Sequence, residues 1–113
     1  MTTTAVFDGT NLVNASPYKP TFTYTESFEI TIDCITSLWT DVTAIKAKAG
    51  ICKKTTLLSG KTAVQTTGTK GSLVIAGDTY TNCAIENGIQ VSEVPGTANQ
   101  WWKYSMKFVQ DTS

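Results

Sequence analysis

Apolar and polar residues alternate through positions 21–34. Phe22, Tyr24, Phe28, Ile30, Ile32 and Cys34 hold the even places, broken only by Glu26, while Thr, Ser, Glu and Asp hold the odd ones. A period of two puts each set on its own face of a strand, so the stretch predicts one long, half-buried strand. At about 3.3 Å per residue it would span roughly 40 Å, more than strands usually do, and a break or bulge is expected near Glu26 and Ser27. Near the end of the chain Trp102, Tyr104, Met106 and Phe108 alternate with Lys103, Ser105 and Lys107. This predicts a second half-buried strand with an aromatic inner face. Between the two the period changes. Leu38, Val42, Ile45 and Ala49 follow spacings of four, three and four, which is one face of a helix over about 37–49. Ser37 is the expected N-cap and Gly50 the expected stop. Asp41 falls near the positive end of the dipole, and Lys46 and Lys48 near the negative end.

Turn chemistry divides the rest. Residues 5–7 predict a short strand, Asp8 and Gly9 a turn, and residues 11–13 its return. Pro17 and Pro20 cannot donate to a ladder, so residues 14–20 read as an extended connector or an edge. Residues 51–58 predict a strand with a mixed face, and Ser59, Gly60 and Lys61 a turn. Residues 62–70, TAVQTTGTK, are polar and short of large apolar groups, which predicts a loop or hairpin arm over 60–71. Residues 71–111 read as an antiparallel meander. Strands are expected over 72–76, 79–85 and 89–94, with turns at Gly77-Asp78 and Asn87-Gly88. Tyr80, Cys83 and Ile85 are candidate core contacts. Pro95, Gly96 and Asn99 mark a loop before the final strand. The expected fold is mainly β: an antiparallel sandwich or barrel with a single flanking helix, in one domain over 1–113 with a flexible arm at 1–4.

Composition narrows the chemistry. Charged residues are only 16% of the 113, nine basic against nine acidic, for a net charge of zero. The polar surface is therefore built largely from Thr, whose branched Cβ suits a strand. Without a basic run there is no electrostatic footprint for nucleic acid or an anionic membrane. The basic residues are all Lys, so no guanidinium fork is present. His is absent, which removes the commonest general base and metal ligand and the nucleophile pairs built on it. Cys34, Cys52 and Cys83 are odd in number and widely spaced, which argues for reduced thiols rather than a disulfide frame or a zinc site. The opening MTTTAVFDG has neither a basic nor an apolar leader region, so synthesis in a cytoplasm is expected.

Candidate sites are few. Glu26 and Glu29 would face opposite sides of a strand, and Asp41 or Asp78 with Glu86 has no spacing logic. Residues 68–77 lack the pattern of a phosphate loop. No catalytic, cofactor-binding or metal residues are expected, and no cofactor. Trp101 and Trp102 are adjacent and so point to opposite faces, one to the core and one to a surface contact. Trp39 falls at the edge of the helix stripe, where it covers the core.

The strand GSLVIAG, its return DTYTNCAI and the closing WKYSMKFVQ resemble the small β-rich tail proteins of tailed bacteriophages, in the tail-tube, tail-completion and baseplate-hub group. The likeness spans 71–110 in sequence character and 22–50 in element order. It implies a non-enzymatic virion subunit, made in the host cytoplasm, that assembles with copies of itself into a ring and contacts neighbouring virion proteins. Trp39, Thr66, Thr67, Lys70 and Trp101 are then the expected subunit-interface residues. A capsid decoration or cement protein shares the same solubility logic. A carbohydrate-binding β-module using Trp39 and one of Trp101 and Trp102 is the alternative from another class.

Overall fold

The computed structural model describes residues 3–21, 29–94 and 100–113. Six strands form a closed antiparallel barrel: β1 (Thr3–Phe7), β2 (Thr10–Thr21), β3 (Glu29–Thr36), β6 (Gly71–Ile75), β7 (Asp78–Glu93) and β8 (Trp102–Gln110), in the order β1-β2-β3-β8-β7-β6. Helix α1 (Trp39–Lys46) and a separate two-stranded hairpin, β4 (Cys52–Thr56) with β5 (Thr62–Thr66), lie in the connection from β3 to β6. The expected β-fold with one flanking helix is therefore a barrel.

The two alternating patterns supply neighbouring strands of one wall of the interior. Ile30, Ile32 and Cys34 of β3 pair in register with Phe108, Met106 and Tyr104 of β8, and all six side chains are buried. Phe7 reaches in from β1 to meet Phe108, with ring centroids 4.9 Å apart. Burial of such side chains contributes roughly 1.5–3 kcal/mol each. Tyr104 is fully buried, and its hydroxyl accepts a hydrogen bond from the Val13 N–H at 3.2 Å. One polar atom in the barrel is thereby satisfied across the interior. Val42 and Ile45 of α1 join the same core, as the helical spacing requires.

Several local expectations are corrected. Thr21 of β2 faces Glu29 of antiparallel β3, so the chain reverses between them and cannot run as one strand over 21–34. The expected bulge at Glu26 and Ser27 lies outside the described residues. Two antiparallel strands both carry period two, so alternation alone does not separate them. Residues 14–20 are not a connector but part of β2. The edge reading of the prolines fits: past Ala15 the strand pairs only with β3.

Asn87-Gly88 makes no turn. β7 runs through it, with a shift in register between Glu86 and Ile89 against β8. Residues on both sides pair with the same strand, so the extra residues form a bulge, and Gly88 takes a φ of 74° that a side chain would resist. The hairpin turn before β7 sits one residue earlier than expected, at Ala76 and Gly77, both with positive φ. Ser37 does not cap α1. Leu38 is the N-cap residue, and the buried Thr36 hydroxyl accepts from its N–H at 3.1 Å and donates to Asp41 at 2.5 Å. Leu38 itself is 60% exposed and so drops out of the buried stripe.

Candidate functional site

Three surface features stand out, and strand register sets each of them. The first is a pair of open strand edges. Among the described residues, β2 has no second partner past Ala15, and β7 has none after Cys83. These edges bound the two lateral sides of one four-stranded sheet, β2-β3-β8-β7. The Val94 N–H donates to the Trp101 carbonyl. Bonding direction alternates along an antiparallel ladder, so the N–H groups of Ile89, Val91 and Glu93 point away from β8. The same alternation, carried through β8 and β3, turns the backbone of Pro17 away from β3. The open side of β2 thus shows a residue with a carbonyl but no N–H, a common way to blunt an edge. The open stretch of β7, IQVSE, contains neither Pro nor Lys.

The second feature is an aromatic corner. Trp39 begins α1 and is 48% exposed, and its ring meets Trp102 of β8 edge-on at 5.2 Å. Val91 pairs with Tyr104 and Trp102 with Glu93, so Val91 and Trp102 share the inner face of the sheet at diagonal positions. Val91 is 38% exposed. An apolar shelf therefore lies beside the unguarded edge of β7.

The third is a cluster of charges on the outer face, beneath the β4–β5 hairpin. Lys54 of β4 reaches Glu29 of β3 at 2.8 Å and Glu86 of β7 at 3.2 Å. Lys107 of β8 lies 3.6 Å from Glu29 and 3.4 Å from Glu86. Each carboxylate thus touches two ammonium groups. The hydrogen bond from Lys54 is the main cause holding the Glu29 carboxyl below its ordinary range, with Lys107 adding to it against partial burial. Conversely, Glu29 raises the Lys54 ammonium. Glu86 Oε2 is buried and accepts no hydrogen bond, so its contact with Lys107 is ionic only. A shallow cavity of about 290 Å³ opens next to the cluster at the Gly88 bulge, lined by Thr31, Gln90 and Ser105 besides Glu86 and Lys107.

The thiols play no part in these features beyond packing. Burial pushes Cys34 and Cys83 up to about 12, so both stay protonated near neutrality. Burial likewise raises Cys52, followed by the charge of Glu86. Among the described residues no group of Cys, Asp and Glu gathers as a metal set, and no helix is long and apolar enough to cross a membrane.

The five expected interface residues do not form one group. Thr66, Thr67 and Lys70 sit at the base of the hairpin and bond within the chain. Thr66 accepts from the Gly68 N–H, Thr67 from the Ile51 N–H, and Lys70 pairs with Asp111 at 2.7 Å. Trp39 lies at the aromatic corner, where it meets Trp102, and Trp101 is half-buried just before the last strand. Trp102, rather than Trp101, is the stacking partner of Trp39. Carboxylate spacing gave no sign of the Glu29 and Glu86 pairing, because the four charges come from four strands. Compared with protein-family models, curated proteins and solved structures, the chain matches none.

Proposed function

We propose that this protein is a non-enzymatic structural subunit of a bacteriophage tail, in its tube, adaptor or baseplate, that works by joining copies of itself into a ring. The observation that carries this reading is the pair of open edges on opposite sides of one sheet. When copies stand side by side in one orientation, β7 of each is antiparallel to β2 of the next, so the sheet continues from copy to copy. Such a contact is head-to-tail, and a rotation that closes gives a ring. With Val91 set opposite the neighbour's Pro17, the N–H of Val91 has the Pro17 carbonyl as an acceptor. Zero net charge lets many copies gather without accumulating repulsion. The Trp39–Trp102 corner beside the β7 edge adds the aromatic surface in which interfaces are enriched.

Electron microscopy tests the reading. Negatively stained protein at high concentration shows closed rings, and antibody label on phage particles lies along the tail. Label on the capsid instead gives the decoration reading. Isolated particles at every concentration, with no label on virions, contradict both.

A further inference from the structure

Among the described residues, the β4–β5 hairpin is paired with no barrel strand; its ladder bonds run only between β4 and β5. Its base is narrow. The two legs meet at Gly50 and Gly68, so close that a Cβ on Gly50 would collide with the Gly68 backbone nitrogen. The legs are also tied to each other: the Thr67 N–H donates to the Ile51 carbonyl, and the Thr69 N–H to the Lys48 carbonyl. A pair of legs bonded together over a glycine contact moves as one piece.

Charge and hydrogen bonds hold the hairpin down beside a small apolar contact. Lys54 inserts between Glu29 and Glu86, with Lys107 completing the square. At the outer edge of β5, Asp111 accepts from the Val64 N–H and from Lys70, while the Thr62 N–H and carbonyl bond Thr112. The apolar part is small: Val64 against Ala84 and Val109, with Cys52 at its margin.

We propose that the β4–β5 hairpin is a hinged flap, clasped to the outer face of the barrel by carboxylates, which lifts as a unit while the barrel stays closed. Lifting uncovers Ala84, Val109 and the charges around them. The clasp answers to acid. The groups facing it are Glu29 on β3, Glu86 on β7, Lys107 on β8, Lys54 and Cys52 on β4, and Lys70 and Asp111 at the flanks. The Glu29 and Asp111 carboxylates set the response. The Glu29 carboxyl is held below its ordinary value, so its grip is complete above about pH 4.5 and fades as pH falls through its lower, folded value. At Asp111, burial works against the charge, but Lys70, Ser113 and the Val64 N–H outweigh it and hold the carboxyl far below the usual range. Asp111 therefore lets go last.

The native cysteines report the motion. Cys52 belongs to the flap and is half-buried against Val64, Ala84 and Val109, whereas Cys34 and Cys83 are buried in the barrel. The test labels thiols with a dipyridyl disulfide, which reacts in acid, and normalises rates to an unfolded peptide. At about pH 3.5, below the ordinary carboxylate range, Cys52 reacts faster relative to neutral pH while Cys34 and Cys83 remain protected. At neutral pH the double variant Glu29→Gln, Glu86→Gln raises Cys52 labelling on the order of tenfold, the factor that corresponds to about 1.4 kcal/mol. Circular dichroism of the same samples reports whether the barrel stays folded. If all three thiols become reactive together, or if Cys52 ignores both acid and the double variant, the flap is not a separate unit and the proposal falls.

Discussion

The six barrel strands are joined by ladders of backbone hydrogen bonds, whereas the β4–β5 hairpin meets the barrel through side chains and through bonds to the C-terminal residues. The barrel interior holds Phe7, Ile32, Tyr104 and Phe108, all fully buried; the layer beneath the hairpin holds Val64, Ala84 and Val109. Inside the barrel Tyr104 stays neutral, because burial holds its hydroxyl well above the usual range. Under the hairpin the apolar area is too small to act alone, and Glu29, Glu86, Lys54 and Lys107 supplement it.

The comparison breaks most readily in the barrel. Phe108→Ala is expected to cost about 3–5 kcal/mol in denaturant unfolding, from lost burial plus the cavity left behind. Val64→Ala, on the hairpin side, should cost about 1–2 kcal/mol, for two fewer carbon groups buried. If the two losses were equal, the hairpin layer would be as much a core as the barrel interior. Acid sharpens the contrast. Folding depresses the Glu29 carboxyl, so the unfolded chain binds more protons as pH falls, and stability declines below about pH 4.5. The decline should appear first in exchange of the β4 and β5 amides and only later in the β3 and β8 amides. Equal onset would merge the two regions.

Smaller effects probe single contacts. Ala76 occupies a left-handed turn position at φ 51°, an arrangement that costs an L-residue about 1–2 kcal/mol. Ala76→Gly relieves it against the extra entropy of glycine, and a gain of about 0.5–1 kcal/mol is expected in thermal or denaturant unfolding. Lys54→Met removes the central charge of the clasp from a site a third exposed to solvent. Solvent screening holds the expected loss below about 1 kcal/mol, and native-state hydrogen exchange should place that loss in the hairpin alone.

Much of the barrel was legible in the sequence, because period two survives wherever one face is buried. The inner set of β8, the even face of β3 and the turn at Asp8 and Gly9 follow directly from residue type. The helix stripe was legible at Val42 and Ile45. Its cap was not, since Thr36 serves from inside β3 and a sequence pattern looks for the cap one residue later. The turn dipeptide Asn87-Gly88 misled for a related reason. The same positive φ that closes a hairpin also forms a bulge, and only the partner strand decides between them. The charge cluster was illegible because Glu29, Lys54, Glu86 and Lys107 meet through register between distant strands. The open edges were equally hidden, since an edge is defined by strand order and not by any strand's own residues.

Copies of this chain are proposed to join through the open side of β7. Val91 directs its N–H outward, so Val91→Pro removes an edge donor without taking a bond from the β7–β8 ladder. Light scattering over rising concentration compares this variant with the wild type. The wild type is expected to grow to a discrete multiple of 12.2 kDa while the folded Val91→Pro protein stays at one chain. A wild type that remains a monomer at millimolar concentration, or a proline variant that assembles as the wild type does, would contradict the proposed contact.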